Sequence, residues 1–375
     1  MEKEVVMLLR RMVLLLMMLA LTVFSAQAED SFSVVDDEDG VVYDNLLPDA
    51  QAPRTVTLTF AGDVTLGSEE DTRNQASSFF SVAQREGYGW FFREMQPLFS
   101  TDDLTIVNLE GVLADSPQGM KKDKNYCFRG DADMARILTL GNIEAVTLGN
   151  NHSGDYGQAG LQSTQRALQR AGVEYFVNGQ AYMWRRGNIS IAFFGFWQED
   201  YQQNRDWMAA EIARMKAEEG LSAAVVCLHA GYEYRPQHNA PQEEFAHDAI
   251  DAGVDLVIMH HPHVVQGVEV YKGRTICYSL GNFCFGGNRN VREPEALAVR
   301  VKMTFSPEGV YQSQQVTLIP VHISGEGAYS DYQPRMVQGE AAQRVFDKVQ
   351  ADTAFALPAP DETTGWITLS GGDTP

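Results

Sequence analysis

The stretch VDLVIMHHPHVVQGVEVYKGRTICYSLGNFCF, residues 254–285, decides the fold. Its beginning, residues 254–259, is almost wholly apolar and has no helical period, which predicts a strand buried on both faces. Pro262 then turns the chain, so three histidines fall where a parallel strand gives way to a loop: His260, His261 and His263. Ligands of open α/β sheets bind at this end of the strands, and imidazoles packed this closely are typical of a divalent-metal site. The alternative is histidines that face solvent or are satisfied within the core.

Composition favours a folded protein that does not bind nucleic acid. The 375 residues are 44% hydrophobic, enough for one large domain or two ordinary ones. The formal net charge of −21 disfavours a nucleic-acid partner. Lys121, Lys122 and Lys124 form one basic cluster, for which a solvated face is the ordinary interpretation. Four widely spaced cysteines form no C-x-x-C pair, and Cys227 and Cys277 lie in apolar runs typical of small core residues, so free thiols are expected, with two disulfides as the alternative.

The N-terminal segment predicts export. Charged residues precede the apolar run VLLLMMLALTVF at 13–24, and Ala26-Gln27-Ala28 matches a cleavage site. Residues 1–28 are therefore expected to be a signal peptide or, alternatively, an uncleaved membrane anchor, and the protein is expected to be secreted, periplasmic or membrane-anchored. The domain boundaries that we predict are a disordered acidic linker at 29–54, a folded domain at 55–350 and a flexible tail at 351–375.

Carboxylates follow the first two predicted strands. Residues 55–61 read as a strand that ends at Gly62-Asp63, and residues 104–109 as a buried strand that ends at Glu110. We expect both carboxylates on the same edge of a parallel sheet as the histidines. A helix cap or turn explains Asp63 equally well if it stands alone.

Two further strands end in metal-compatible side chains. Residues 143–148 lead into a glycine-bounded loop that contains Asn151 and His152, and residues 223–228 lead to His229. Taken singly, an Asn/Gly turn and a structural histidine are the commoner interpretations. Because strands and helices alternate and residues 297–323 read as a β-hairpin, the pattern predicts an α/β (α+β) fold with a C-terminal β-hairpin.

The ordered strand ends resemble the metal-dependent phosphatase (calcineurin-like) superfamily. More closely, the chain resembles the bacterial CapA family of poly-γ-glutamate capsule synthesis proteins, over residues 55–325. The matching blocks are GDVTLG at 62–67, NLEG at 108–111, LGNNHSGDYGQAGL at 148–161, LHAGYEY at 228–234, HHPHVVQGVEVYKG at 260–273 and YSLGNFCF at 278–285. The resemblance implies a metallophosphatase-like, two-layered β-sheet core flanked by helices.

The same resemblance implies a site for one or two divalent ions of manganese, zinc or iron. His152 would be the catalytic acid or a phosphate contact, and His260 competes with His261 for one place. Glu110 would take the bridging position between the two ions. The implied metal ligands are Asp63, Glu110, Asn151, His229, His261 and His263.

Two departures from the phosphatase pattern leave the enzyme question open. Thr65 stands where a histidine is expected two places after the first Asp, and Asn108-Leu109-Glu110 replaces G-D-x-x-D. The first metal would lose a ligand, which leaves a single-metal site, a different metal, or a site kept for binding.

The sequence is compatible with three functions. The first is an exported protein of poly-γ-glutamate capsule biosynthesis, export or anchoring, with an anionic polymer and membrane capsule-synthase components as partners. The second is an exported metal-dependent phosphoesterase, a hydrolase, with an unrelated substrate. The third is a non-catalytic polymer-binding or scaffold component.

Overall fold

A computed structural model of the chain describes residues 53–287, 289–325, 327 and 329–370. The predicted signal segment at 1–28 and all of the predicted linker except its last two residues lie outside these ranges. In the described ranges, no helix combines the length and the apolar character that a membrane crossing requires.

The strands form two large sheets and one small one. In chain order they are β1 Arg54–Thr65, β2 Leu104–Leu109, β3 Val112–Leu113, β4 Arg129–Gly130, β5 Ala145–Thr147, β6 Glu174–Phe176, β7 Tyr182–Arg186, β8 Ile189–Trp197, β9 Ala223–His229, β10 Leu256–His260, β11 Val268–Tyr271, β12 Arg274–Cys277, β13 Asn282–Phe285, β14 Glu295–Phe305, β15 Tyr311–His322, β16 Arg335–Met336 and β17 Ile367–Ser370.

In the first sheet, β1, β2, β5 and β6 run parallel to one another, and β14 and β15 extend the sheet in antiparallel fashion on the other side of β1. The second sheet has a parallel centre of β8, β9, β10 and β12, edged by β7 and β11. The short pair β3–β4 stands apart from both.

Seven α-helices lie in the described ranges. They are α1 Phe79–Glu86, α2 Gln96–Phe99, α3 Arg136–Leu140, α4 Gly157–Ala171, α5 Gln198–Glu218, α6 Ala240–Asp251 and α7 Gly339–Ala351. Gly172 ends α4 in the left-handed conformation, with φ 73°, as the glycine after the periodic run predicts.

The sheets pack face to face and helices cover their outer faces. Phe60 and Ile106 of the first sheet share a buried central cluster with Val225 and Ile258 of the second. Helices α1 to α4 supply side chains to the cluster on the outer face of the first sheet, and α5 and α6 do the same for the second. The predicted two-layered β core flanked by helices is confirmed, and the predicted hairpin is β14–β15.

Strand β1 runs further than the sequence predicts. It continues through Asp63 to Thr65, because β2 and β13 pair with its last residues on either side. Gly62 makes this possible, since a Cβ there would lie 2.0 Å from the backbone oxygen of Gly281. The close approach lets the Asp63 amide donate a 3.0 Å hydrogen bond to that oxygen.

The predicted flexible tail also differs from the structure. Strand β17 falls within residues 351–375 and pairs with β15 from Leu318 to Gln315. Ile367 is buried in the central cluster, so burial of an apolar side chain holds this segment on the sheet. All four cysteines are free, as predicted, and all are buried, as predicted for Cys227 and Cys277.

Candidate metal centre

Strands from both sheets bring the predicted site residues together. Strand pairing places Asp63 beside Asn108 in the first sheet and His229 beside His260 in the second. The prediction of one shared sheet edge was therefore wrong, because β1 and β10 belong to different sheets. Face-to-face packing of the two sheets brings their strand ends together instead.

Asp63 is fully buried and closely surrounded by polar groups. Its Oδ1 accepts a 2.8 Å hydrogen bond from Asn108 Nδ2 and lies 3.3 Å from His260 Nδ1, while Oδ2 lies 3.2 Å from His263 Nδ1. Burial by itself would raise the pKa of Asp63. The hydrogen bonds and charges of His260 and His263 outweigh it and hold that pKa well below its usual value, so the carboxylate stays ionised.

Glu110 is equally buried, yet neither of its carboxylate oxygens has a hydrogen-bond partner among the described residues. Its Oε1 lies 3.6 Å from His229 Nε2, 3.7 Å from His152 Nε2 and 3.8 Å from His263 Nε2. These distances are too long for hydrogen bonds. Burial raises the pKa of Glu110 well above its usual value, and the nearby Asp63 charge adds to this against the opposing charge of His263. A cation held among these atoms would give the Glu110 oxygens a partner and would lower the pKa of Glu110.

His229 and His261 are held as neutral imidazoles. His229 Nδ1 lies 3.1 Å from Asn108 Nδ2, and His229 Nε2 lies 3.1 Å from His261 Nδ1. Burial lowers the pKa of His229 well below its usual value and, with the charge of His263, lowers that of His261 to about 4. Neutral imidazole is the form that binds metals.

The pKa of His263 is raised, in contrast to those of His229 and His261. Burial alone would lower its pKa, but the charges of Glu110 and Asp63 raise it to about 9. Its Nδ1 lies 3.0 Å from Asn282 Oδ1. His261 and His263 both have positive φ angles, 101° and 59°, which few non-glycine residues adopt.

The loop after β5 adds Asn151 and His152. Asn151 Oδ1 is buried without a hydrogen-bond partner in the described structure, so it is available as a ligand. His152 Nδ1 lies 2.8 Å from Asp155 Oδ2, which leaves Nε2 directed toward Glu110. Burial lowers the pKa of His152, and Asp155 partly opposes that shift.

Lys124 supports this loop and is not on a solvated face, contrary to the ordinary interpretation of the basic cluster. Its Nζ donates a 2.6 Å hydrogen bond to Asp155 Oδ1 and a 2.8 Å bond to the backbone oxygen of Asn151. Asp155 is fully buried, so the ion pair is shielded from solvent on one side. No sequence pattern distinguishes Lys124 from its lysine neighbours.

Two groups of potential ligands emerge from the geometry. In each group the donor atoms lie within 4.8 Å of one another. One group is buried and the other reaches the surface. They are Asp63, Glu110 and His229, and Glu233, His261 and His263.

Of the two competing histidines, His261 lies with the other donors. His260 is the last residue of β10 and contacts Asp63 from the strand. Glu233 was missed by sequence reasoning, because it lies four residues beyond the end of β9. Its place inside the block LHAGYEY was the available signal.

A cleft of about 370 Å³ opens over the site. His152, Glu233 and His263 line it, together with Arg289 and Arg292. Carboxylate and imidazole donors of this kind suit Zn²⁺, Mn²⁺ or Fe²⁺. The residues present therefore fit a divalent transition metal.

Comparisons with known proteins agree with the fold described above. The profile of the family described as "Bacterial capsule synthesis protein PGA_cap" matches residues 57–287. Capsule biosynthesis protein CapA of Bacillus anthracis is 28% identical over 254 residues, covering 61% of this chain and 60% of that protein. PGA biosynthesis protein CapA of Bacillus subtilis (strain 168) is 26% identical over 249 residues, covering 61% and 63%.

A third relative matches over a greater length. A probable polyglutamine synthesis accessory protein of Mycobacterium tuberculosis is 24% identical over 331 residues, covering 72% of this chain and 86% of that protein. The match to the two Bacillus proteins, by contrast, spans less than two thirds of their length.

Proposed function

The chain belongs to the bacterial capsule synthesis protein PGA_cap family, which has the metallophosphatase-like fold, and from this we propose that it is an exported accessory protein of poly-γ-glutamate capsule synthesis that acts through a divalent-metal site. The resemblance to the CapA family is thereby confirmed. The two Bacillus relatives are named for capsule and PGA biosynthesis, which supports the polymer as the substrate class.

The observation that carries the metal site is the environment of Glu110. A fully buried carboxylate without a hydrogen bond is costly, on the order of several kcal/mol for an ionised group. Three imidazole nitrogens lie within 3.8 Å of its Oε1, with His229 held neutral by burial. Asp63, Glu110 and His229 would hold the cation, and Asn151 would add its amide oxygen.

His152 and its two partners would supply the proton transfer. When bound, a divalent cation would polarise an anionic substrate and lower the pKa of nearby water toward ~7. His152 faces the same space, and Asp155 and Lys124 fix its ring. Its Nε2 is placed to donate a proton to a leaving oxygen, a contribution of roughly 10²- to 10⁴-fold.

The charge distribution is compatible with an anionic polymer. The chain as a whole carries −21, which would repel a polyanion at long range. Over about 8 Å in physiological salt that repulsion is screened, so the local field at the cleft decides binding. Arg289 and Arg292 border the cleft, and a bound cation would add positive charge at its floor.

Export and a membrane-proximal location are part of the proposal. The apolar run at 13–24 and the Ala26-Gln27-Ala28 site support a secreted, periplasmic or membrane-anchored protein. The polymer is made for the cell surface in this proposal, so membrane capsule-synthase components are the expected protein partners.

Metal analysis tests the site directly. Purified full-length protein should contain, or take up, manganese, zinc or iron, and Glu110→Gln should abolish uptake. Glu69→Gln is the matched control, because Glu69 lines the same cleft but belongs to neither ligand group. A wild-type protein that stays metal-free after exposure to all three metals refutes the metal site.

A genetic measurement tests the biological role. Deleting the gene should reduce surface poly-γ-glutamate, and the wild-type gene but not Glu110→Gln should restore it. Unchanged surface polymer after deletion refutes the capsule function.

A plain phosphoesterase is the second candidate, favoured by the His152–Asp155 pair. Metal-loaded protein that hydrolyses a generic aryl phosphodiester, with the activity lost in His152→Ala, would support it. In that reaction water attacks phosphorus, the ester P–O bond breaks, and His152 protonates the leaving oxygen. Bound metal without turnover would favour a polymer-binding scaffold role.

A further inference from the structure

Two cavities meet at Glu233. One of them, the His261 cavity, has a volume of about 580 Å³ and is lined by His261. The other is the cleft of about 370 Å³ that contains His152 and His263. Of the described residues, only Glu233 lines both. The candidate metal centre is therefore bordered by two adjoining spaces, which one long ligand can occupy together.

The loop after β9, residues 230–235, is fixed where it runs between the two cavities. The Tyr234 amide donates a 2.8 Å hydrogen bond to the backbone oxygen of Pro262. Buried Gln266 donates a 2.9 Å bond from its Nε2 to the backbone oxygen of Arg235. Tyr234 also keeps a positive φ of 56°, which few bulky residues adopt. The exposed side chains of this loop thus stand on an ordered backbone, which reduces the entropy cost of binding a ligand.

Exposed tyrosines line both cavities. Tyr232 is 65% exposed and lines the His261 cavity, whereas Tyr234 and Tyr126, each 58% exposed, line the cleft. They are three of the seven large apolar side chains that are exposed among the described residues. Exposed apolar groups that gather beside a cleft mark a surface for binding. A tyrosine ring offers an apolar face to methylene groups and a hydroxyl to polar groups.

Each cavity also contains an exposed arginine without an anionic partner. Arg235 lines the His261 cavity and Arg292 lines the cleft. Neither side chain forms an ion pair or a hydrogen bond with another described residue, although the chain has 50 acidic residues against 29 lysines and arginines. Arg289, which also lines the cleft, donates to the side chain of Gln75 instead.

Arg292 stays available although acidic residues lie nearby. The cleft is also lined by Glu69, Glu233 and Glu293. Glu293 accepts a 2.7 Å hydrogen bond from Lys348 Nζ. Glu233 belongs to the group whose donor atoms, with those of His261 and His263, lie within 4.8 Å of one another. None of the three glutamates pairs with Arg292, so its guanidinium can meet an anion that enters the cleft.

We propose that the two cavities are two subsites for one chain of γ-linked polyglutamate, so that an interior run of the polymer lies across the metal centre. This inference rests on the polymer substrate of the proposed function. Tyr232 and Arg235 form one subsite, and Tyr234 and Arg292 form the other. A single glutamate or a small phosphoester can occupy only one of the two.

The repeat unit of the polymer matches these side chains. Each γ-linked glutamate has a free α-carboxylate, an amide and two methylene groups. The planar guanidinium of arginine pairs with a carboxylate through two parallel hydrogen bonds, and a tyrosine face packs against methylene groups. A chain with one carboxylate per repeat can reach both arginines at once. The second contact is then intramolecular, which raises the affinity without a new kind of contact.

Binding of γ-linked glutamate chains of two lengths tests the proposal. A decamer and a dimer are titrated by calorimetry into full-length protein treated with a chelator, so that the result does not depend on whether a metal binds. The variants are Arg235→Gln and Arg292→Gln. Arg166→Gln is the matched control, because Arg166 is an exposed arginine of α4 that lines neither cavity.

Wild type and Arg166→Gln should bind the decamer at least about tenfold more tightly than the dimer, because only the decamer reaches both subsites. Arg235→Gln and Arg292→Gln should each bind the decamer at least about threefold more weakly than Arg166→Gln does, through the loss of one exposed ion pair. Their affinity for the dimer should stay within about twofold, since the other subsite remains. The decamer-to-dimer ratio therefore falls, which a general loss of stability does not produce. Urea unfolding of both variants should match wild type, because both side chains are exposed.

The outcomes separate this inference from the proposed function. A smaller decamer-to-dimer ratio in wild type, or a smaller loss in either variant, refutes the two subsites. That result leaves metal uptake and the capsule phenotype of the deletion, which test the proposed function, unaffected. Conversely, if the decamer binds as expected but deletion of the gene leaves the surface polymer unchanged, the capsule function fails and the two subsites stand as a binding site for anionic chains.

Discussion

Thr65 Oγ1 donates a 2.6 Å hydrogen bond to the backbone oxygen of Glu110, and both residues are buried. Thr65 stands where the phosphatase pattern has a metal-binding histidine. Its hydroxyl instead ties the end of β1 to the residue that carries the buried carboxylate. Asn108, which belongs to the second departure, donates a 2.8 Å hydrogen bond from its amide to Asp63 Oδ1. In this chain the two departures therefore form hydrogen bonds within the site, one to the backbone of Glu110 and one to the carboxylate of Asp63.

Thr65→Val should weaken both folding and metal binding. The substitution keeps the shape but leaves the buried Glu110 carbonyl without its donor, at a cost of about 1–3 kcal/mol. Chemical denaturation of the metal-free protein and a Mn²⁺ titration measure the two effects. Thr65→Ser retains the hydroxyl and should resemble wild type, and a Thr65→Val protein as stable as Thr65→Ser would contradict the assigned role.

Glu110→Gln should change how the stability of the metal-free protein depends on pH. Burial raises the pKa of Glu110 well above 4.5, so above pH 4.5 the native state holds a proton that the unfolded state has lost. The contribution of this proton to the free energy of unfolding is fully present below pH 4.5. It is lost as pH rises, by up to about 1.4 kcal/mol per pH unit. Urea unfolding with a chelator from pH 5 to 8 should show a steeper decline in wild type than in Glu110→Gln, which keeps the pH dependence of other groups such as His238. Parallel curves would refute the shifted pKa.

The strand ends were predictable because local patterns mark them. An alternating strand pattern ended at Asp63 and apolar runs ended at Glu110 and His229, and the structure places all three side by side. Their role as metal ligands stays a prediction. Strand periodicity contains no information on which sheet a strand joins, so the division of β1 and β10 between two sheets could not be inferred from it.

Residues that act from loops were harder to find. Lys124 and Glu233 occupy positions where solvated charges are the rule, and only long-range contacts distinguish them. Strand β17 was missed for a similar reason. Its four residues are ordered by pairing with β15, which is about fifty residues away in the sequence.

Two substitutions around His152 should shift its pKa in opposite directions. Asp155 raises that pKa through a hydrogen bond and its charge, whereas the charge of Lys124 lowers it, on top of the larger lowering by burial. Asp155→Asn should therefore lower the pKa of His152 further, and Lys124→Met should raise it. Imidazole resonances in a pH titration by NMR measure both. Shifts of the same sign in the two variants would contradict the arrangement.

His238 and Asp352, which belong to neither group of potential ligands, should also make stability depend on pH. His238 Nδ1 lies 3.0 Å from both carboxylate oxygens of Asp352, whose Oδ2 also accepts from the Gly267 amide. Burial would lower the pKa of His238, but Asp352, with Glu243 and Glu269 nearby, raises it above 6.5. The stabilisation is therefore complete below pH 6.5 and is lost as pH rises through the raised pKa.

His238→Gln should remove this dependence. Because His238 is partly exposed, we expect a loss of about 1 kcal/mol at pH 6 that shrinks toward zero at pH 9. Urea unfolding at both pH values measures it in metal-free protein. His247→Gln is the matched control, since His247 on α6 pairs with Glu269 of β11 and forms no ion pair with Asp352. If His238→Gln destabilises equally at pH 6 and pH 9, the loss comes from the ring stacked 3.8 Å from Tyr278 and the ion pair contributes nothing.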